Sequence, residues 1–127
     1  MTREVIATTA APAAVGAYSQ AIKANGQVFV SGQLGLVPGK KEFAGDTVAA
    51  QTEQALKNMA AILVAAGTDM AHVVKVTVLL ADIATFGEMN TVYATFFADE
   101  PPARAAFAVK DLPLGGLVEI EAIAVLP

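Results

Sequence analysis

Apolar residues recur at two different spacings along the chain, and these spacings predict its helices and strands. The segment DTVAAQTEQALKNMAAILVAAG places apolar side chains three and four positions apart, which predicts a helix with Asp46 as N-cap and Gly67 as C-cap. The segment ATFGEMNTVYATFFADE carries aromatic residues at the same spacing until Pro101 and Pro102. It predicts a second helix, because proline cannot continue one.

Strands are predicted where β-branched residues cluster or alternate with polar ones. After the first strand, Pro38 and Gly39 suit the central positions of a type II turn and indicate a hairpin with a second strand. One more strand is expected near the N-terminus. The order of elements predicts an α+β fold, with two helices on one face of a mixed sheet. The predicted strands cover residues 27–34, 72–82, 104–109 and 117–125.

The other face of this sheet has no helix to cover it. The chain has 127 residues, which suits one domain spanning 1–127, and 55% of its residues are apolar against 16% charged. An uncovered apolar face needs a partner, and closed symmetric homo-oligomers are the default among assemblies. We therefore expect a homo-oligomer.

Composition excludes several function classes. Eight basic against twelve acidic residues give a net charge of −4, so a nucleic acid is not expected as a partner. The absence of cysteine removes thiolate chemistry, and the sole histidine, His72, rules out a multi-histidine metal site and is expected to have a surface or packing role. Apolar runs are shorter than the roughly 20 residues of a membrane span. We expect a cytoplasmic protein with no membrane partner.

The segment PPARAAFAVKDLPLGGLVEIEAIA consists mainly of small and apolar residues but contains Arg104, Glu119 and Glu121. If its two strands pair as an antiparallel hairpin, Arg104 faces Glu121 and Ala106 faces Glu119, so all four share one face. In one interpretation Arg104 binds a substrate carboxylate while Glu119 positions or activates a water. In the other, Arg104 and Glu121 form a structural salt bridge and Glu119 is solvated.

Other polar residues have two interpretations each. Tyr18 and Ser19 in GAYSQAI could line a pocket or cap a turn, and Asn90 on an aromatic helix face needs a buried hydrogen-bond partner or an edge position. Three glycines fit neither the dinucleotide fingerprint nor the P-loop, and hairpin turns account for them. These are Gly32, Gly35 and Gly39.

Several motifs resemble, in order and spacing, the reactive intermediate deaminase family (Rid, or YjgF), and most closely its RidA type. They are GAYSQAI, VFVSGQLG, ALKNMAAILVAAG, VVKVTVLLADIATFGEMNTVY, PPARAAF and VEIEAIAV. The resemblance implies a chorismate-mutase-like α+β fold and a homotrimer whose sheets pack in a central barrel, with clefts between subunits. It implies hydrolysis of 2-aminoacrylate, 2-iminobutanoate and 2-iminopropanoate to 2-oxo acids and ammonia, without metal or organic cofactor.

The resemblance also implies site residues. Arg104 matches the arginine that binds the substrate carboxylate, and Glu119 matches the glutamate that holds the attacking water. Tyr18 is expected to act with them. Ala106 stands where family members often have cysteine, which removes thiol chemistry there and bears on substrate preference. The remaining expected substrate-binding residues are Ser31, Gly32 and Asn90.

Two alternatives stay open beside the deaminase. A non-catalytic, small-carboxylate-binding or chaperone-like trimer would use the same clefts without turnover. RNA cleavage is an activity attributed to some family members, but the net negative charge of this chain and its single histidine argue against it.

Overall fold

The computed structural model describes residues 2–127, which form a six-stranded sheet and two helices. The strands lie side by side in the order β1-β2-β3-β6-β4-β5, and only β4 and β5 pair in parallel. A mixed sheet with two helices confirms the predicted α+β class. The strands are β1 (Arg3–Ile6), β2 (Ala21–Ala24), β3 (Gln27–Leu34), β4 (Val73–Leu80), β5 (Ala103–Ala108) and β6 (Val118–Val125); the helices are α1 (Val48–Ala66) and α2 (Phe86–Phe96).

Helix α1 lies close to its predicted limits. Gly67 follows its last turn with φ +92°, a left-handed conformation that glycine adopts freely, so the predicted C-cap is confirmed. The predicted N-cap is wrong by one residue, because the Thr47 hydroxyl, not Asp46, accepts the Ala50 amide at 3.1 Å. Glu88 from α2 accepts the amide of Ala49 at 3.1 Å. The two helices are thus joined where both begin.

Both helices pack on one face of the sheet, as predicted. Alternate residues of the central strands point toward α1 and are buried, which is the period-2 pattern of a sheet with one covered face. Fully buried members of this core include Val28, Leu56, Met59, Ile62, Leu63, Val76, Val78, Leu80, Met89, Val118 and Ile120. None of the helices within residues 2–127 is long and apolar enough to cross a membrane.

The opposite face of the sheet carries apolar side chains in contact with solvent. Phe29 on β3 is 40% exposed and Phe107 on β5 is 47% exposed. Phe29 also lines a shallow depression of about 330 Å³ on β3, β4 and β6, whose lining includes Lys75, Thr77 and Glu121. The uncovered face expected from the sequence is present, and we call it the open face.

The predicted hairpin of the last two strands is wrong. Strand β4 lies between β5 and β6, and its Val76 pairs with Arg104 on one side and with Ala122 on the other. Helix α2 carries the chain across the sheet before β5, and such a crossover delivers a parallel neighbour. Glu121 pairs with Thr77, one residue along from Val76. Arg104 and Glu121 therefore point to opposite faces, which excludes the predicted salt bridge.

The beginning of the chain also differs from expectation. The additional N-terminal strand is present as β1, while β2 and β3 form a hairpin around Asn25 and Gly26, with φ +54° and +77°. Asn-Gly is a strong signal for such a turn. The Pro38-Gly39 turn forms, with the Lys40 amide bonded to the Val37 carbonyl at 3.1 Å. The strand expected after it is reduced to one bridge, between residues 36 and 43.

Candidate active site

Arg104 lies on β5, at the edge of the sheet, and points toward α2. Its Nη1 donates a hydrogen bond to Asn90 Oδ1 at 2.7 Å. Its Cζ lies 4.7 Å from the centre of the Tyr93 ring and 5.4 Å from that of Phe86. Both distances fall within cation–π range. These three partners occupy one face of α2, because residues three and four apart in a helix are neighbours.

This arrangement leaves Arg104 able to bind an anion. A guanidinium has five N–H donors, and the bond to Asn90 accounts for one. The side chain is half-buried, and it forms no ion pair with an acidic residue within residues 2–127. A fixed guanidinium with free donors suits two-pronged binding of a carboxylate.

Ala106 lies two residues farther along β5 on the same side as Arg104. It pairs with Val78 and packs, half-buried, against the core. Its small side chain leaves room beside the guanidinium. We call Phe86, Asn90, Tyr93, Arg104 and Ala106 the Arg104 cluster.

Glu119 lies on the other face of the sheet. It pairs with Leu34 of β3 and with Leu79 of β4. Its carboxylate lies directly over Gly32, where an added Cβ would be 2.7 Å from Oε2. Only glycine leaves space for the carboxylate in this position. The sequence reading of Gly32 as a hairpin residue is therefore wrong, because the residue is inside β3.

A β-bulge brings Gly32 to this position. Between the pairs Val30–Ala122 and Gln33–Ile120, β3 has two residues where β6 has one. The Ser31 hydroxyl donates to the Ser19 carbonyl at 2.6 Å, and the Ser31 amide donates to Gln20 at 3.0 Å. Ser31 thus joins GAYSQAI to the bulge.

Tyr18 belongs to the same segment. Its side chain is 50% exposed, and its ring is the nearest contact of an added Cβ at Gly16, at 3.7 Å. Tyr18 therefore offers its side chain at the surface rather than packing in the core. We call Ser31, Gly32 and Glu119 the Glu119 cluster, and the segment that carries Tyr18 is joined to it through Ser31.

The surroundings of Glu119 favour its protonated form. Burial raises the pKa of the Glu119 carboxyl above its usual value of 4.5, and the neighbouring negative charge of Glu121 raises it further. A raised pKa makes a carboxylate a stronger base at neutral pH.

One copy of the chain does not bring the two clusters together. Arg104 faces the helices, whereas Glu119 lies on the open face. Their strands are separated by β4, which at the usual strand spacing places the two backbones about 10 Å apart. The predicted face shared by Arg104, Glu119 and Glu121 is therefore wrong for a single chain.

His72, which was not expected to belong to the site, lies away from both clusters. His72 ends a 3₁₀ turn (Met70–His72), where its Nδ1 lies 2.8 Å from Asp69 Oδ1 at the surface. The surface role predicted for it is confirmed. Across residues 2–127, no group of three or more His, Asp or Glu side chains is placed to hold a metal ion.

The sequence interpretation missed Phe86 and Tyr93 as neighbours of Arg104. Both belong to the aromatic residues whose spacing predicts the second helix. A signal was present, because Asn90 lies between them at helical spacing and needs a polar partner. The only long polar side chain that β5 offers on that side is Arg104.

Comparison with known proteins identifies the family. The family model described as Endoribonuclease L-PSP matches residues 8–126. Reactive Intermediate Deaminase A, chloroplastic, of Arabidopsis thaliana is 52% identical over 124 residues, covering 98% of this chain and 66% of that protein. The 2-iminobutanoate/2-iminopropanoate deaminase of Rattus norvegicus is 53% identical over 123 residues, covering 97% of this chain and 90% of that protein.

A solved structure agrees with this result. The crystal structure of E. coli TdcF with bound serine superposes with a TM-score of 0.93 at 37% identity, covering 98% of this chain and 99% of that one. Sequence and fold therefore lead to the same assignment. The chain belongs to the Endoribonuclease L-PSP family, which is the reactive intermediate deaminase (Rid, or YjgF) family that its motifs resemble.

Proposed function

We propose that this protein is an enamine/imine deaminase. It hydrolyses 2-aminoacrylate, 2-iminobutanoate and 2-iminopropanoate to 2-oxo acids and ammonia. The observation that carries the proposal is the Arg104 guanidinium, held by Asn90 and Tyr93 with donors left for a substrate carboxylate. Relatives about half identical to this chain carry the names of such deaminases.

The proposed reaction needs an anchor, a water and a proton carrier. Arg104 binds the carboxylate and fixes the imine carbon beside it. Glu119 holds the water and takes one of its protons as the water oxygen bonds to the imine carbon, and it passes that proton to the imine nitrogen. In the resulting carbinolamine, Glu119 carries the hydroxyl proton to the nitrogen in the same way, so that ammonia leaves as the C–N bond breaks and the C=O bond forms. The net change is imine plus water to 2-oxo acid plus ammonia.

The other predicted residues have supporting roles in this proposal. Asn90 orients Arg104 through the 2.7 Å hydrogen bond, and Ala106 leaves space for the carbon chain of the substrate. Tyr18 donates a hydrogen bond to the reacting group, which its exposed position allows. Ser31 and Gly32 lie beside Glu119 at the bulge of β3 and contact the substrate in this proposal.

We propose further that the site forms between copies of the chain, in a homotrimer with its open faces around a central barrel. Two observations support this assembly. The open face exposes Phe29 and Phe107, and no element formed by residues 2–127 covers this face or the free edge of β5. In addition, Arg104 and Glu119 lie on opposite faces of one sheet. A neighbouring copy would bring its Glu119 to the Arg104 cluster and its Arg104 to the Glu119 cluster. Light scattering that finds a folded monomer at micromolar concentration would contradict the assembly.

The proposed substrates are products of other enzymes. Pyridoxal-phosphate-dependent dehydratases release such imines, which damage other enzymes. We propose that this protein removes them in the cytoplasm, in keeping with a chain that has no cysteine. The bound serine of TdcF supports a small carboxylate as ligand, whereas the acidic balance gives no support to RNA as a substrate.

An assay coupled to a threonine dehydratase tests the proposed function. The dehydratase generates 2-iminobutanoate, whose disappearance and conversion to 2-oxobutanoate are followed with and without the wild-type protein. We expect catalytic amounts of the protein to accelerate hydrolysis well above the rate in water. Binding of 2-oxobutanoate without acceleration would replace the enzyme by the carboxylate-binding alternative.

The rate of the deaminase is expected to depend on pH through Glu119. Burial raises the pKa of its carboxyl above 4.5, and the charge of Glu121 raises it further. As pH falls through this pKa, Glu119 becomes protonated and kcat/KM decreases. The variant Glu121→Gln removes the neighbouring charge, so the acidic limb of the profile is expected to move to lower pH. Profiles of kcat/KM from about pH 4 to pH 8 measure the shift.

A matched variant controls for general effects of charge. Glu4→Gln removes one negative charge from the exposed strand β1 and is expected to leave the acidic limb in place. A limb that moves equally in both variants, or in neither, would contradict the assignment of this limb to Glu119.

A further inference from the structure

The Arg104 cluster contains two aromatic rings whose role the proposed reaction does not assign. Tyr93 is only 5% exposed, and its hydroxyl is buried without a hydrogen-bond partner among residues 2–127. The proposed reaction gives this hydroxyl no contact with the substrate. The Tyr93 ring, however, is the closer of the two to the Arg104 guanidinium, at 4.7 Å.

We propose that Tyr93 and Phe86 are positioning residues, whose rings fix the plane of the Arg104 guanidinium for substrate binding. The inference rests on the proposed function and deepens it. The negative faces of the rings attract the cation, while Asn90 Oδ1 accepts a hydrogen bond from Nη1 at 2.7 Å and so limits rotation within that plane. The remaining N–H groups are then directed to the substrate carboxylate.

Fixing the guanidinium lowers the cost of binding. A free arginine side chain has considerable rotamer freedom, which is lost when both prongs engage a carboxylate. In the Arg104 cluster most of this freedom is removed before the substrate arrives. Because Arg104 binds the carboxylate both before and during the reaction, loss of the ring should raise KM more than it lowers kcat.

The aromatic ring, and not the hydroxyl, is the part of Tyr93 that this role requires. An unpaired buried hydroxyl is unfavourable to the folded state. Burial also raises the pKa of this phenol, so it stays neutral at physiological pH. Phenylalanine at this position would keep the ring and remove the unpaired group.

Three variants at two positions test the inference. Tyr93→Leu removes the ring, Tyr93→Phe keeps it, and Phe97→Leu removes a neighbouring buried ring that lies 4.7 Å from Tyr93. The measurements are kcat and KM for 2-iminobutanoate, Kd for 2-oxobutanoate by calorimetry, and Tm. If Tyr93→Leu does not fold, Phe86→Leu takes its place, since Phe86 is only half-buried.

Tyr93→Leu is expected to raise KM and Kd about tenfold, with a smaller change in kcat. Tyr93→Phe should restore both constants to within about twofold of wild type and raise Tm. Phe97→Leu should lower Tm yet leave Kd within about twofold. Equal Kd values for Tyr93→Leu and Phe97→Leu would overturn the inference, and so would a Tyr93→Phe variant as weak as Tyr93→Leu.

The Kd measurement with 2-oxobutanoate distinguishes failure of this inference from failure of the proposed function. If the wild-type protein binds 2-oxobutanoate without hydrolysing the imine, the proposed function fails, while the Kd comparison still decides the role of Tyr93. If the wild-type protein does not bind 2-oxobutanoate, the inference fails with it, because there is no carboxylate for the positioned guanidinium to hold.

Discussion

Replacement of Arg104 by alanine is expected to lower kcat/KM for 2-iminobutanoate by about 1000-fold, which corresponds to about 4 kcal/mol. The substitution removes the anchor that holds the carboxylate in both the ground state and the transition state. Loss of one partner from a buried, charged hydrogen-bonded pair typically costs about 2–5 kcal/mol. The coupled dehydratase assay measures the loss, with Tm recorded to show that the variant is folded.

Two further variants distinguish the possible causes of such a loss. Arg3→Ala makes the same chemical change on the exposed strand β1 and is expected to keep wild-type activity. Arg104→Lys keeps the charge but not the planar fork, so we expect an intermediate rate. Wild-type kcat/KM in Arg104→Ala would exclude Arg104 as the anchor and remove the main support for the proposed function.

Two inactive variants are expected to restore activity when they assemble together. Arg104→Ala lacks the anchor and Glu119→Gln lacks the base, so each alone should be nearly inactive. In a cyclic assembly with sites between copies, an active site needs the arginine from one variant and the glutamate from the other. Random mixing of equal amounts gives this combination in about one quarter of the sites. The coupled assay on co-refolded protein should therefore show about one quarter of wild-type activity.

The control for this experiment is a double variant. Arg104→Ala co-refolded with Arg104→Ala/Glu119→Gln contains no arginine at position 104 and should stay inactive. Failure of the two single variants to restore activity, with mixed assemblies shown by mass spectrometry, would mean that each site lies within one chain. That result would contradict the proposed intersubunit cleft.

The elements of this fold follow from local sequence, but the partners of its last two strands do not. The helical spacing of α1 and its Gly67 cap are properties of neighbouring residues, and both were predictable. The segment KDLPLGG is rich in turn residues, which favours a hairpin between the two strands that flank it. In the structure it contains a 3₁₀ turn (Pro113–Gly115), and β6 inserts between β3 and β4. Such pairing depends on contacts distant in sequence.

The same distinction applies to the candidate site. Resemblance selected Arg104 and Glu119, whose roles stay predictions, but their assumed common face came from the wrong hairpin. The helical spacing of Phe86 and Tyr93 predicts an apolar helix face, but spacing does not show that a cation lies against that face. Only the parallel pairing of β4 with β5 brings Arg104 beside α2.

The bulge at Ser31 and Gly32 makes the chemistry of this chain sensitive to the length of one strand. Both Val30 and Gln33 are buried, although three positions separate them, because the extra residue reverses the alternation of β3. Deletion of a single residue here would leave a regular ladder with β6 and remove the glycine floor beneath Glu119. In evolution, therefore, insertions and deletions should be tolerated in the loops around β3 far more readily than within it.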